Sequence, residues 1–494
     1  MKRILIDCGW LVTMDDAIGD HRNARVLVEG NRIVAAGKGI EATADQVIDA
    51  SDKIVMPGLI NAHLHTWQTG LRAIGSEWLG PDYHKNIHAN LATHYGPEDN
   101  YLGNLVGALG QIDGGVTTVL DWCHNLTSLA HAERSVDGLA DTGIRAVFAH
   151  GTAKPPAKPG ELPYTHVPHP RDRIEALRKT RFSSDDGLVT LAMAILGPHW
   201  GTYEVAEQDL RLARELNLLS TSHATRKIAD QVTPGGYKRL VEAGLIGPDH
   251  NLVHGNYIED DELKPLIEAG ASVTATVLVE LHGHAADPVT LRVRELGGMP
   301  SIGIDVEPIV TGEMFREMQA ALLHARWASL RDNAAAGKPP LKTIAVKSRE
   351  ALMWATIGNA RAIGLEDQIG SITPGKKADI VTPRKPAWKV CKCMLTSPGM
   401  TIMREPSITL STGMARFGPI ASIRSSATTR STFLTSPIRS SIEISQPHRT
   451  RVRFISPSRA LAQRQLHHRS DSRASARQPA FHGYCPWPGT FRLP

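Results

Sequence analysis

The length and composition of this chain limit the kinds of protein it can be. Its 494 residues exceed one ordinary domain, and its 41% hydrophobic content is enough for a sizeable core. No run of 18 apolar residues could span a membrane, and Asp7 interrupts the first apolar run too early for a signal peptide. Five scattered cysteines argue against a disulfide framework. We therefore expect a cytoplasmic protein with no membrane partner.

The net charge of +5 belongs to one end of the chain. Residues 382–494 hold 18 Lys and Arg against 3 Asp and Glu, which leaves 37 basic and 47 acidic residues in 1–381. A body with an acidic excess and no basic stripe does not have the charge pattern of a nucleic-acid-binding protein. We expect no nucleic acid as its partner.

The first 56 residues have the pattern of a small β unit. Short strand-forming stretches recur, and Gly30-Asn31 is typical of a tight turn between two of them. The predicted strands are Arg3–Leu5, Arg25–Glu29, Arg32–Ala36 and Gln46–Asp49.

From Leu59 onward, short apolar runs alternate with amphipathic segments such as Tyr203–Leu216 and Asp260–Ala269. Eight strands separated by helices over about 250 residues predict an α/β fold of the (β/α)8 (TIM) barrel type. An open doubly wound sheet is the alternative, but no G-x-G-x-x-G follows the first strand. The predicted barrel strands are Leu59–His65, Thr117–Trp122, Arg145–Gly151, Val189–Leu196, Leu218–His223, Leu252–His254, Ala271–Val277 and Ser301–Asp305.

Metal-binding side chains end four of these strands. His63 and His65 are two residues apart, so they leave one strand on the same face, and His223, His254 and Asp305 end three later strands. One such histidine is more often an ordinary core residue, but strand ends in a barrel all meet at one face. The coincidence predicts a metal site at that face.

The donor set indicates the chemistry. Three histidines and an aspartate suit one catalytic zinc, or iron as the alternative, with a coordination position open for water. A bound metal of this kind lowers the pKa of water from 15.7 toward about 7 and so supplies hydroxide at neutral pH.

Several motifs resemble the amidohydrolase superfamily, in the branch with cytosine deaminase-like, guanine deaminase-like and triazine-hydrolase enzymes. They are PGLINAHLHTWQTGLR (57–72), GGVTTVLD (114–121), SHATR (222–226), LVHGNYIEDDEL (252–263), the strand region at 270–277, SIGIDVE (301–307) and GSITPGKKADIV (370–381).

The resemblance implies a role for each strand-end residue. His63, His65, His223 and Asp305 would ligate one metal, His254 would polarise the substrate, and Asp305 would also take the proton of the attacking water. No lysine lies on the fourth barrel strand, so the carbamylated lysine of two-metal relatives is missing.

The resemblance also implies a domain organisation. A barrel at 57–365 would be accompanied by a small β-sandwich, which would be formed by 1–56 and by the returning segment 366–381.

One position departs from the family pattern. Deaminases of this branch carry a glutamate three residues after the histidine of the fifth strand, and here that residue is Arg226. A guanidinium does not deprotonate in proteins, so it cannot shuttle protons. We expect Glu280 or His282 to replace the missing acid/base, with a solvated loop charge as the alternative for Glu280. Arg226 would bind an anionic or carbonyl-bearing substrate.

Other candidates have weaker signals. Gln68 and Arg72 follow the histidine pair, and Gln68 is predicted to contact substrate, with helix-surface polarity as the alternative. His199 and His124 follow the fourth and second strands and would lie at the catalytic face, and His199 and His282 are predicted to contact substrate. Three tryptophans either wall a flat pocket or pack at the barrel mouth, namely Trp67, Trp122 and Trp200.

The function predicted from these residues is hydrolysis of a non-peptide C–N bond, specifically deamination of a small heterocyclic substrate. Hydrolytic dechlorination or cyclic-amide opening at the same site is the alternative among enzymes, and an inactive barrel kept for binding is the alternative from another class. A homo-oligomer is a possible assembly that the sequence neither predicts nor excludes.

The resemblance stops within its last motif. Residues 382–494 are rich in Ser, Arg, Thr and Pro and have no sustained period of 2 or 3.6. Three interpretations are a disordered basic tail, a nucleic-acid-binding extension and an out-of-frame translation, and the abrupt change favours the last. Cys391 and Cys393 fall in this tail and are not assigned a metal.

Overall fold

The computed structural model describes residues 1–153 and 157–383. The predicted tail, with Cys391 and Cys393, lies outside the described residues from 384 onward. Within the described part, the strands in chain order are β1 (Arg3–Leu11), β2 (His21–Glu29), β3 (Arg32–Gly37), β4 (Gln46–Pro57), β5 (Leu59–Leu64), β6 (Val116–Cys123), β7 (Arg145–His150), β8 (Val189–Ile195), β9 (Leu219–Ala224), β10 (His250–His254), β11 (Ser272–Ala275), β12 (Ser301–Ile302) and β13 (Ile380–Val381).

The helices of the described part fill the intervals between strands. The α-helices are α1 (Gly80–Tyr83), α2 (Pro97–Asp113), α3 (Leu129–Thr142), α4 (Arg171–Lys179), α5 (Gly197–Trp200), α6 (Tyr203–Glu215), α7 (Gly236–Glu242), α8 (Asp260–Glu268), α9 (Val277–Gly283), α10 (Thr290–Glu295), α11 (Met314–Ala335), α12 (Ser348–Met353) and α13 (Asn359–Ala362). The two helices predicted from periodicity, α6 and α8, are confirmed. No helix in the described ranges is long and apolar enough to cross a membrane.

The first sheet has five strands in the order β13-β4-β1-β2-β3. The four predicted N-terminal strands are confirmed, and each is longer than the sequence pattern indicated. Strand β13, which follows the barrel, pairs antiparallel with β4 through Ile380 opposite Pro57 and Val381 opposite Met56. The segment after the barrel therefore returns to the N-terminal sheet.

The second sheet contains the eight strands β5 to β12, each parallel to its neighbour in chain order. All eight predicted strands are confirmed, with ends that differ by a few residues. Alternate residues of β7 belong to two cores: Val147 and Ala149 join a cluster of mostly small side chains, and Ala146 and Phe148 join the larger cluster that includes helix residues. This alternation is what a barrel wall requires.

The barrel is closed between β5 and the chain just after β12. The carbonyl of His63 accepts hydrogen bonds from the backbone N–H groups of Ile304 and Asp305, and Leu64 forms a parallel bridge with Asp305. The side chain of Asn359 links the same two strands, because it donates to the carbonyls of Ile60 and Ile302. Closure therefore fixes Asp305 beside His63 and His65.

Candidate metal centre and active site

Four predicted ligands converge at the C-terminal end of the barrel. His63 Nε2 and His65 Nε2 each lie 3.2 Å from Asp305 Oδ1, and His223 Nε2 lies 3.2 Å from His63 Nε2. One ligand atom from each residue lies within 4.8 Å of all the others, and all four residues are buried.

These spacings fit a bound cation. A tetrahedral zinc with nitrogen ligands at 2.0–2.1 Å holds those ligand atoms about 3.3 Å apart. The separations of three of the six pairs of ligand atoms, each 3.2 Å, match this value. Imidazole and carboxylate are also the donors that zinc and ferrous iron accept.

The orientation of two ligands is fixed by Trp122 on β6. Its carbonyl accepts a hydrogen bond from His65 Nδ1 at 2.8 Å, so the Nε2 lone pair of that ring faces the site. Its indole stacks on His223 with ring centroids 3.8 Å apart. Trp122 thus supports two of the predicted ligands, whereas the sequence left it between pocket wall and packing.

The protonation states also suit a metal. Burial lowers the pKa of His63 to about 3, so its ring is neutral at neutral pH. Burial raises the pKa of Asp305, but its contacts with His63 and His65 outweigh that effect and place the pKa well below the usual range. A neutral imidazole and an ionised carboxylate are the forms that bind a metal.

His254 lies beside this group, with Nε2 3.8 Å from Asp305 Oδ2. Both residues have left-handed backbones, with φ of 73° and 72°. This conformation is uncommon outside glycine and often marks functional sites. It aims both side chains at the point where the ligands meet, and no sequence signal predicted it.

Glu280, the predicted acid/base, lies behind His254. Its Oε1 is 3.2 Å from His254 Nδ1 and accepts the backbone N–H of Thr276 at 2.8 Å. The carboxylate is fully buried, and Glu317 fixes its helix α9 by accepting the N–H groups of Val277 and Leu278. The alternative of a solvated loop charge is wrong for Glu280, since no part of it is exposed.

The surroundings of His254 favour its charged form. Burial lowers the pKa of the imidazole, but the contact with Glu280 and the charge of Asp305 raise it to a net value above the ordinary one. A ring that carries a proton on Nε2 can donate a hydrogen bond toward a substrate oxygen.

A residue that the sequence did not indicate, Tyr83, borders the site. It is the last residue of α1, and its hydroxyl accepts a hydrogen bond from Gln68 Nε2 at 2.6 Å. Burial and then the Asp305 carboxylate raise the pKa of the phenol. The predicted substrate residue Gln68 is itself buried, and its Oε1 has no partner among the described residues.

Histidine rings connect this segment to the metal ligands. His88 packs edge-on against Tyr83 and against His124, with centroids 5.2 and 4.6 Å apart. His124 stacks on His65 at 4.2 Å and accepts a hydrogen bond from the buried Trp67 indole. His124 therefore lies at the catalytic face, as its position after β6 predicted.

The other predicted substrate residues have protein partners in the structure. The guanidinium of Arg226 stacks on Trp200 at 3.9 Å and donates to the carbonyl of Asp230. His199 Nδ1 accepts the backbone N–H of Arg226, while its buried Nε2 has no partner among the described residues. His282 Nε2 lies 2.9 Å from the carbonyl oxygen of Trp78. Their contacts with substrate stay predictions.

Arg72, a weaker candidate, has a different role. Its guanidinium lies 2.6 Å from the buried carboxylate of Glu307, just after the strand-end aspartate. The pair ties the segment after β5 to the chain after β12.

A closed parallel barrel with three histidines and an aspartate gathered at the ends of its strands defines a metal-dependent hydrolase of the (β/α)8 class. Sequence comparison agrees, because the profile of the amidohydrolase family matches residues 54–395. The chain belongs to the amidohydrolase family.

Individual proteins are also similar to this chain. The 5-methylthioadenosine/S-adenosylhomocysteine deaminase of Symbiobacterium thermophilum is 26% identical over 397 residues, which cover 77% of this chain and 85% of that protein. A variant of atrazine chlorohydrolase from Arthrobacter aurescens, solved with zinc and atraton, has 21% identity and a TM-score of 0.67 over 77% of this chain and 87% of its own. An adenosine deaminase from Xanthomonas campestris with bound zinc has 23% identity and a TM-score of 0.63, over 77% and 84% respectively.

These comparisons confirm three predictions made from the sequence. The fold is the amidohydrolase barrel with a second sheet at the N-terminus, and the chain is a hydrolase that acts on non-peptide C–N bonds. The ligand group described above supports a divalent metal.

Proposed function

We propose that this protein is a zinc-dependent deaminase of a nitrogen heterocycle, acting in the cytoplasm on a small molecule. The observation that carries the proposal is the convergence of four metal ligands with His254 at one end of a closed barrel. The deaminase relative named above acts, by its name, on adenosine derivatives. The first substrates to test are therefore aminopurine nucleosides.

His63, His65, His223 and Asp305 would hold the metal. When bound, zinc would acidify a water so that hydroxide is available at neutral pH. Asp305 has one oxygen, Oδ1, directed at two histidine nitrogens, while Oδ2 is directed toward His254. Oδ2 therefore does not face the two histidine ligands and can accept the proton of the attacking water.

The remaining steps need groups that act on the substrate. His254 Nε2 would donate a hydrogen bond to the attacking oxygen and stabilise its charge. As the C–O bond forms, the adjacent ring nitrogen takes up a proton from a side chain of the site, which recovers a proton from the new hydroxyl as the carbonyl forms. Asp305 then gives its proton to the amine, the C–N bond breaks, and ammonia leaves.

The carboxylate of Glu280 would orient His254 rather than touch the substrate, because it contacts the Nδ1 side of the ring. Gln68, His199, Arg226 and His282 would contact the substrate. The partnerless buried atoms Gln68 Oε1 and His199 Nε2 are the acceptor and donor that best fit this role.

A second candidate function is hydrolytic dechlorination of a heterocycle. One observation favours it: Arg226 occupies the position of the family's proton-shuttling glutamate, and chloride leaves without a proton. The barrel of atrazine chlorohydrolase has the same fold as this chain.

The decisive experiment measures ammonia and chloride release by protein purified without chelators. The panel would contain aminopurine nucleosides, aminopyrimidines, pterins, aminotriazines and chlorotriazines. About one zinc per chain with ammonia release supports the proposal, and chloride release alone supports the second candidate. A chain that binds no metal and releases neither product would overturn both and leave the inactive barrel.

A further inference from the structure

Tyr83 places a phenol hydroxyl at the edge of the metal site. Its oxygen accepts a hydrogen bond from Gln68 Nε2, three residues after the ligand His65. The ring packs against His88, which in turn packs against His124, the residue stacked on His65. Burial, and then the negative charge of Asp305, raises the pKa of the phenol, so the hydroxyl keeps its proton at neutral pH.

The site needs a proton donor that the chain lacks at the expected position. The guanidinium of Arg226 lies on Trp200 and donates to the carbonyl of Asp230. Glu280 is turned to the far side of His254, where it accepts the N–H of Thr276. Neither group offers a transferable proton to a substrate at the metal.

We propose that Tyr83 is the catalytic residue that protonates the ring nitrogen of the substrate. The proposal rests on the deaminase function proposed above. Because Gln68 donates to the phenol oxygen, the hydroxyl proton of Tyr83 points away from Gln68 and is available to another acceptor. A ring nitrogen next to the carbon under attack is such an acceptor.

Gln68 and Tyr83 together match one edge of an aminoheterocycle. The unpartnered Oε1 of Gln68 accepts, and the hydroxyl of Tyr83 donates. An N=C–NH₂ edge presents the complementary pair, an amine donor and a ring-nitrogen acceptor. The substrate class selected by this pair is a heterocycle with an amino group beside a ring nitrogen.

The proton transfers balance over one turnover. The C–O bond forms as Asp305 takes one proton of water and the C=N electron pair moves to the ring nitrogen, which takes the proton of Tyr83. Asp305 then protonates the amine, the C–N bond breaks and ammonia leaves. The proton of the new hydroxyl returns by way of Asp305 to the Tyr83 phenolate as the carbonyl forms.

The test compares Tyr83→Phe with Tyr101→Phe. Tyr101 is a matched control because its hydroxyl donates to Asp141 at the surface, 2.9 Å away. Removal of a general acid typically lowers kcat about 10²- to 10⁴-fold. We expect that loss in kcat for Tyr83→Phe, with zinc content and Tm unchanged, and a change below about twofold for Tyr101→Phe.

The outcomes separate the two proposals. A wild-type protein that releases ammonia, together with a Tyr83→Phe variant whose kcat is within threefold of it, overturns the role of Tyr83 alone. A wild-type protein that deaminates nothing overturns the proposed function and this role with it. If the phenylalanine variant fails to fold, 3-fluorotyrosine at position 83 keeps the ring and hydroxyl but makes the phenol more acidic. An unchanged kcat for that variant would also overturn the role.

Discussion

Glu280 Oε1 lies 3.2 Å from Nδ1 of His254, on the opposite side of the ring from Asp305. The carboxylate therefore holds the Nδ1 proton of His254, favours the charged ring in which Nε2 also carries a proton, and sets the direction in which the ring points. A buried acid that acts through a histidine in this way differs from one that meets the substrate. The difference can be measured.

Glu280→Gln keeps the shape of the side chain and removes its charge. We expect kcat to fall about 10- to 100-fold with KM and zinc content little changed, because misoriented partners of catalytic groups typically have effects of this size. Steady-state kinetics and metal analysis give the result. Glu268→Gln, in a surface pair with Lys264, is the control. A kcat equal to that of wild type would remove Glu280 from the mechanism.

The two ends of the barrel sheet approach each other closely at Gly303, which lies against the backbone of His63. A Cβ added there would lie 2.8 Å from the backbone N and O of His63. We expect Gly303→Ala to lower the free energy of unfolding by about 1–3 kcal/mol, as overpacking does, and to weaken zinc binding because His63 must shift. Denaturant unfolding and zinc titration measure both effects.

Gly70→Ala is the control for that substitution, since an added Cβ at Gly70 meets no atom within 4 Å. If Gly303→Ala binds zinc as tightly as Gly70→Ala does, the backbone contact between β5 and the chain after β12 does not determine the geometry of the site.

The convergence of the four proposed metal ligands could be predicted from the sequence because the signal is local. Each follows a short apolar run, and the barrel rule places all strand ends at one face, so His63, His65, His223 and Asp305 needed no knowledge of packing. The fold could be predicted from the same short apolar runs, because they alternate with amphipathic helical segments. Residue identity and strand position were sufficient for this part of the site.

The roles of Glu280 and Tyr83 depend on contacts between elements. The side of His254 that Glu280 meets is set by where α9 packs and by the cap that Glu317 provides. Tyr83 lies among one-turn helices with no period, and its place is set by its hydrogen bond with Gln68. Such packing has no signature within a few residues.

The returning segment is joined to the barrel by an ion pair between Arg145 on β7 and Asp379, just before β13. Two hydrogen bonds of 2.8 and 3.1 Å connect them, and both side chains are nearly buried. We propose on this basis that 1–56 and 366–381 form one unit that packs against the barrel at 57–365.

Asp379→Asn tests that unit, because it leaves the Arg145 charge buried without its partner. Breaking a buried pair in this way costs about 3–5 kcal/mol. Chemical denaturation should show a loss of this order, while Glu207→Gln, which removes an exposed partner of Arg211, should leave stability nearly unchanged. Equal stability of the two variants would contradict the proposed connection.

Acid stability should depend on His169, a buried residue far from the metal site in sequence. Burial, and then the charge of Arg173, lowers its pKa to about 3, and its Nε2 lies 2.9 Å from Nδ1 of His150. The unfolded chain takes up this proton below about pH 6.5. The folded chain does not take up this proton until about pH 3. The unfolded state therefore binds more protons between these values, and the free energy of unfolding falls as pH falls.

His169→Gln should reduce the slope of the free energy of unfolding against pH by up to about 1.4 kcal/mol per pH unit. Urea unfolding from pH 6 to pH 4 measures that slope, with the exposed His94→Gln as control. Parallel curves for wild type and His169→Gln would show that His169 is not the residue that takes up the proton.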